Sequence, residues 1–404
     1  MVQISETRGN DVRMAGMDIA TVLDQAIGEG GRLRRRGSLA GEGAERIETE
    51  ADRITGLSLR GLGLTSPPIA LARLADLRRL DLAQNRLTAL PELADPARLE
   101  HLCLDDNRLA SLPPSLRAMS ALEELHLDGN ELRELPESLG DLMRLRTLSL
   151  YGNELSALPP QLGELARLEV LSLGGNRLQR APEELWRLSA LRSLNLGENR
   201  LVELDEGIGR LTNLRMLDLG HNALAALPAS VGDLENVSFL YLSHNELESL
   251  PGPLANLTGL AYLSASHNRF ARLPECIAGM TGLRELRLYD NRLERLPAAI
   301  GRASGLRELH LRDNRLDLLP ESLGELASLT HLDLRNNRLS ALPESLGRLE
   351  SLVHLDLRNN PLTRLPDGLG ELPRLRKLDL RWCKCPIPAW IPRLEERGCT
   401  VYRS

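Results

Sequence analysis

Aromatic residues are scarce in this 404-residue chain, which has two Phe, three Trp and five Tyr, 2% of the total. Lysine is scarcer still, since only Lys377 and Lys384 are lysine among 50 basic residues. With the abundant Ala and Gly, that arginine bias is the composition of a GC-rich bacterial genome. The net charge of −6 has no basic excess, which argues against a general nucleic-acid or anionic-membrane binder. No apolar run approaches the roughly 20 residues of a membrane helix, and the opening MVQISETRGNDVRMAGM lacks the apolar segment of a signal peptide. Five scattered cysteines (Cys103, Cys276, Cys383, Cys385, Cys399) make no disulfide framework, so a reducing cytoplasm is expected. Also missing are a phosphate-binding glycine loop, a G-x-S-x-G and an H-E-x-x-H. The chain is therefore not expected to be an enzyme.

What the chain does have is one unit, repeated. Leu329–Leu342, LTHLDLRNNRLSAL, places three leucines (Leu329, Leu332, Leu334) before Asn337 and Leu339. An asparagine in the same role recurs every 23 residues from Asn107 to Asn360, with one 22-residue step from Asn85 to Asn107. Leu62 takes that position upstream and Cys383 downstream, making fifteen turns. A turn this small cannot bury its own apolar side, so stacked neighbours must cover one another's leucines. The asparagine, carrying both a donor and an acceptor, suits the backbone groups left unpaired where the chain bends after the strand. The following Leu-x-x-Leu-Pro, as in Leu339–Pro343, predicts a 3₁₀ or α turn over a segment such as Glu344–Leu349.

The pattern L-x-x-L-x-L-x-x-N/C-x-L is that of leucine-rich repeats. Over Ile54–Pro386 it resembles intracellular leucine-rich-repeat proteins of the Ras-suppressor and Scribble type and their bacterial counterparts; LPESLGELASLTHLDLRNNRL, Leu319–Leu339, is a close match. The expected fold is an α/β solenoid, a curved leucine-rich-repeat horseshoe of about 15 turns, with a parallel concave sheet and short helical or 3₁₀ turns on the convex side. Residues 1–53 read as a flexible and helical cap segment, 54–385 as the solenoid and 386–404 as a C-terminal cap. Within the first segment, helices are predicted near Ile19–Ile27 and Ala44–Ala51. A basic linker, Gly28–Gly43, joins them; its RRRGS resembles a basophilic kinase site at Ser38, although a solvated hinge is the simpler reading. Pro388–Arg397 reads as a short helix, and Cys399–Tyr402 as a last strand.

Alternation along each strand puts the third, fifth, seventh and eighth residues of every repeat on the outward columns of the sheet. All eight histidines fall there (His101, His126, His221, His244, His267, His310, His331, His354), as do Tyr151, Tyr241, Tyr262, Tyr289, Phe239 and Met216. Aromatic side chains on a solvent-facing sheet favour binding. Three zones follow. Arg79 to Gly129 is acidic (Asp81, Asp105, Asp106, Glu124, Asp128). Val170 to His267 is nearly uncharged, with Gly174, Gly197 and Gly220 expected to leave floor space beside the rings. The last is a ladder of Arg312, Arg335, Arg358 and Arg381 beside Asp333, Asp356 and Asp379, most simply self-neutralising. The expected function is a non-catalytic protein-interaction scaffold whose partner-binding residues are Met216, Phe239, Tyr241, Tyr262, His221, His244, His267, Tyr151 and Tyr289. The resemblance also implies, in some relatives, binding to Ras-like small GTPases, which makes a GTPase regulator the alternative. The chain is expected to act as a monomer without nucleic acid, membrane or cofactor. No metal is assigned: Cys383, Cys385 and Cys399 lack a fourth ligand, and His221, His244 and His267 are expected to pack on the bend.

Two core exceptions stand out. Ala265 replaces a leucine and Phe270, five residues later, replaces another, a pairing that reads as volume compensation. Asp205 replaces the repeat's proline and Ala181 the leucine before it, and both are expected to mark small irregularities.

Overall fold

The computed structural model describes residues 47–50 and 53–403. The chain divides into two compact units between Leu178 and Gln179. Within each, short strands pair mostly in parallel and in sequence order, and most strands are followed by a bend and a 3₁₀ turn.

In the first unit, β1 (Ile47–Glu50) pairs antiparallel with β2 (Arg53–Ser58), with an irregularity in register at Glu48/Thr49. The strands β3 (Arg79–Asp81), β4 (His101–Cys103), β5 (Glu124–His126), β6 (Thr147–Ser149) and β7 (Val170–Ser172) follow, each parallel to its predecessor. The segment Ile47–Glu50 is thus strand where helix was expected. Its β-branched Ile47 and Thr49 suit a strand, and a strand can pair with the backbone groups at a sheet edge where a helix cannot. The predicted helix Ile19–Ile27, the linker and Ser38 lie outside the described residues.

The second unit contains β8 (Ser193–Asn195), β9 (Met216–Asp218), β10 (Phe239–Tyr241), β11 (Tyr262–Ser264), β12 (Glu285–Arg287), β13 (Glu308–His310), β14 (His331–Asp333), β15 (His354–Asp356), β16 (Lys377–Asp379) and β17 (Thr400–Tyr402). They pair in parallel with leucine over leucine, as in Leu240, Leu263 and Leu286. Between β16 and β17 the only α-helix among the described residues, α1 (Ile391–Glu396), buries Ile391 and Leu394.

The asparagine column performs the expected backbone pairing. Asn245 Nδ2 donates to Leu219 O at 2.9 Å and Leu242 O at 3.1 Å, while its Oδ1 accepts from Leu224 N–H at 3.0 Å. One side chain thereby ties two consecutive turns. Cys383 reproduces part of this, its thiol donating to Leu357 O at 3.0 Å.

Proline sets the start of most of the 3₁₀ turns. Pro343 (φ −66°, ψ 143°) caps Glu344–Arg348, and Leu346 N–H donates back to Pro343 O. Asp205 is no irregularity. It holds nearly the same backbone angles (φ −75°, ψ 150°) and its carboxylate accepts from Gly207 N–H at 2.7 Å. An acidic cap has replaced a conformational one.

The glycine of the E-S-L-G turn is demanded by its neighbour. A Cβ on Gly324 would lie 2.2 Å from Ser345 O in the next turn. Gly324→Ala is therefore expected to destabilise the protein by about 1–3 kcal/mol through overpacking. Denaturant unfolding checks this, and a shift no larger than that of an exposed Ser304→Ala control would contradict it.

Candidate functional site

Strands β9 to β12 align Met216, Phe239, Tyr262 and Glu285 across neighbouring positions on one face. Phe239 is 45% exposed, while Met216, Tyr241 and Tyr262 are half-buried. The rings touch: Tyr241 and Tyr262 lie 5.1 Å apart between centroids, and Phe239 and Tyr262 6.5 Å apart. Leu240 and Leu263, next to them in sequence, are fully buried, so alternation along the strand keeps the rings outward. Burial raises the Tyr262 phenol above its ordinary range, so it remains a neutral donor at physiological pH.

The patch also carries charges that sequence reading left out of it. The Arg287 guanidinium lies 5.4 Å over the Tyr262 ring and is held by Glu285 at 2.6 Å. The Arg312 guanidinium sits 4.4 Å over Tyr289. Such cation–ring contacts fix the orientation of both groups. The signal was available: Tyr241, Ser264 and Arg287 share one register position.

The three histidines form a stack. His221 and His244 are 4.0 Å apart with planes 16° off parallel, and His244 and His267 are 3.8 Å apart at 14°. His267 Nε2 lies 3.1 Å from Asp290 Oδ2, and the ring meets Tyr289 edge-on at 5.3 Å. All three histidines stand in left-handed backbone, at φ 53°, 54° and 52°. Glycine takes the same column at Gly129, Gly152 and Gly175, and asparagine at Asn336 and Asn359. The position before the conserved-spacing asparagine is thus a conformational one, a fact the alternation rule misses.

Burial, followed by the adjacent His267 and His221, lowers the pKa of His244 below 6.5. A histidine whose folded pKa is depressed stabilises the fold above its unfolded pKa, and that contribution is lost as pH falls through the two values. The thermal midpoint of the wild type should therefore fall more steeply between about pH 7.5 and about pH 5 than that of His244→Asn. Asparagine tolerates this backbone, as Asn336 shows. Parallel curves for the two proteins would contradict the reading.

The expected floor space beside the rings is filled. A Cβ on Gly197 or Gly220 would meet Asp218 Oδ1 at 3.0 and 3.2 Å, because that carboxylate turns inward to accept from Gly220 N–H. These glycines make room for Asp218, not for a visitor.

The ladder of arginines is uneven. Arg358 pairs with Asp356 at 2.5 Å, and Arg381 with the fully buried Asp379 at 2.7 Å. Arg312 turns instead toward Tyr289 and Asp313. Arg335 Nε is buried and has no hydrogen-bond partner among the described residues.

Tyr151 belongs to the first unit, where it is exposed and its N–H donates to Asp128 Oδ1 at 2.7 Å. The same unit has a cavity of about 460 Å³ on β2 to β5, lined by side chains that include Asp81, His101, Cys103, Glu124 and His126. Burial, helped by the nearby Asp105 and Asp81 charges, pushes the Cys103 thiol up to about 12.

Comparisons with known proteins fix the class. A leucine-rich repeat region model matches residues 202–298 and 296–394, and a leucine rich repeat model matches 97–155, 143–201 and 166–224. The chain belongs to the leucine-rich-repeat family, and its fold is the leucine-rich-repeat solenoid. No curated protein matches the sequence. Among solved structures it is similar to a Leptospira interrogans leucine-rich-repeat protein, at 28% identity and a TM-score of 0.79, covering 95% of this chain and 98% of that one. It is also similar to the plant peptide hormone receptor RGFR1, solved in complex with RGF2, at 27% identity and a TM-score of 0.64, covering 86% of this chain and 62% of the receptor. The Drosophila Toll–Spatzle complex matches at 22% identity and a TM-score of 0.67 over 83% of this chain and 52% of that one, a likeness of fold alone. Leucine-rich repeats generally mediate protein–protein interaction, and no enzyme is among these relatives. Among the described residues no helix is long and apolar enough to cross a membrane.

Proposed function

We propose that the chain is a non-catalytic scaffold that binds a protein partner on the outward face of β9 to β12, centred on Phe239, Tyr241 and Tyr262. The observation that carries this is the contact among those three rings at a solvent-facing position, with Phe239 nearly half exposed. In water, three touching rings on one face keep apolar area exposed that a partner's apolar side chains would cover. Arg287 and Glu285 give the edge of the patch directional polar groups, and the histidine stack with Tyr289 extends it. That combination of aromatic anchors with an arginine rim is typical of interface centres. The five cysteines, all free, suit a reducing cytoplasm.

Affinity capture from the native host tests the reading, using the wild type, a Phe239→Ala/Tyr241→Ala/Tyr262→Ala variant, and a control carrying substitutions at exposed Arg302 and Arg348. A partner held by the wild type and the control but lost from the triple variant is expected. A partner retained equally by all three would reject this centre.

A further inference from the structure

The arginine ladder begins beside the ring cluster, and its charges are not neutralised evenly. Arg358 lies 2.5 Å from Asp356 and 3.4 Å from Asp379, and Arg381 lies 2.7 Å from Asp379. Arg312 has only a 3.8 Å contact with Asp313. Among the described residues the Arg335 side chain makes no ion pair and no hydrogen bond, and its Nε is buried. The acids nearest to it are used elsewhere. Asp333 Oδ1 accepts from the Arg335 backbone N–H at 3.1 Å, and Asp313 Oδ1 accepts from Asn336 Nδ2 at 2.6 Å. We propose that Arg312 and Arg335 bind an acidic side chain, Asp or Glu, carried by the same partner segment whose apolar residue covers Phe239. The inference rests on the docking face proposed above and names the chemistry of what docks there.

A guanidinium presents five N–H donors in a planar fork that matches a carboxylate in a bidentate geometry. A buried donor without an acceptor is unfavourable, so an incoming carboxylate removes a cost already present in the free protein. Arg312 and Arg335 occupy equivalent places two residues beyond β13 and β14, where Asp313 N–H donates to Arg335 O at 2.9 Å. Two cations one strand apart, about 4.8 Å, repel, and an anion bridging them reverses the sign of that interaction. The Tyr289 ring beneath Arg312 holds one of the pair in place. Nearer the rings, Glu285 is held by Arg287 at 2.6 Å and Glu308 by His310 at 3.2 Å. Those carboxylates therefore do not compete for the two arginines.

The register also sets a spacing. From β10, which carries Phe239, the parallel pairing runs through β11 and β12 to β13 and β14. Three to four strand steps amount to about 14–19 Å, and an extended segment advances about 3.3 Å per residue. A segment lying across the strands would thus place its acid roughly four to six residues from its apolar anchor.

The test is selection from a display library of random linear peptides, each fused through its C-terminus so that side chains supply the peptide's only carboxylates. Targets are the full-length wild type, Arg312→Gln/Arg335→Gln, Phe239→Ala/Tyr241→Ala/Tyr262→Ala, and an Arg302→Gln/Arg348→Gln control that removes the same charge. Circular dichroism confirms that each is folded. The wild type and the control are expected to enrich peptides that pair an aromatic or aliphatic residue with Asp or Glu at that spacing. The Arg312/Arg335 variant should keep the apolar preference and lose the acidic one. For a synthetic peptide of the selected sequence, replacing the acid by its amide should weaken binding to the wild type by about tenfold to a hundredfold and leave binding to the Arg312/Arg335 variant unchanged. An acidic preference that persists in that variant, is absent from the wild type, or disappears from the control as well would overturn the assignment. Acidic peptides enriched equally by the wild type and the ring variant would instead reject the rings as the docking centre while retaining the arginine site.

Discussion

Replacing Phe270 with alanine is expected to destabilise the protein by about 3–5 kcal/mol, the range for truncating a fully buried phenylalanine. Phe270 is 0% exposed, and its backbone N–H donates to Asn291 Oδ1 of the next turn at 3.1 Å. The sharper form of this prediction is a cycle. Ala265, also fully buried, replaces a leucine five residues earlier in the same turn. Ala265→Leu alone adds volume beside a full ring and should cost about 1–3 kcal/mol. Phe270→Leu alone leaves a void and should cost a similar amount. The double variant restores the ordinary leucines of the repeat and should lie close to the wild type. Denaturant unfolding of the four proteins measures the coupling. Additive losses would show that the two positions do not share one space.

The second large effect is expected at Asn245. Alanine there leaves the buried Leu224 N–H without the Asn245 Oδ1 it donates to, and removes one of the two asparagine donors on each of Leu219 O and Leu242 O, which keep Asn222 and Asn268. Each buried backbone group left unpaired costs about 1–3 kcal/mol. Losing the two donated bonds as well as this buried donor's partner should take the total above that of a single deleted hydrogen bond. Asn245→Cys is expected to fall between wild type and alanine, because the Cys383 thiol donates to one such carbonyl in the last turn. A thermal midpoint unchanged in Asn245→Ala would contradict the role assigned to the whole column.

These predictions rest on features that a repeating pattern makes legible. The spacing of Leu332, Leu334, Asn337 and Leu339 places the strand, the bend and the buried side chains, because a 23-residue period leaves one way for leucine to lie over leucine. The proline before most of the 3₁₀ turns was legible for the same reason. Reading failed where position in the chain overrode local pattern. Ile47–Glu50 forms a strand because an unpaired sheet edge lies beside it. Asp205 looked like a defect because its cap depends on a carboxylate reaching Gly207 N–H, which the proline template does not contain.

At the candidate site, Phe239, Tyr241 and Tyr262 were legible as outward residues because period-2 alternation holds through each strand. The environment around them was not. Arg287 was assigned to no zone, yet it lies over Tyr262. The glycines at 197 and 220 read as open floor, yet they accommodate Asp218. His221, His244 and His267 share a column in the sequence, but stacking at 3.8–4.0 Å follows from a left-handed backbone that only coordinates reveal.

The central claim, that a protein partner docks on the ring cluster of the second unit, is tested most directly by site-specific photocrosslinking. A photoreactive phenylalanine analogue at Phe239 should link to the partner in the native host. The same analogue at Leu318, equally apolar and 56% exposed but outside the strands, should not. Cross-links formed from Leu318 and absent from Phe239 would contradict the account.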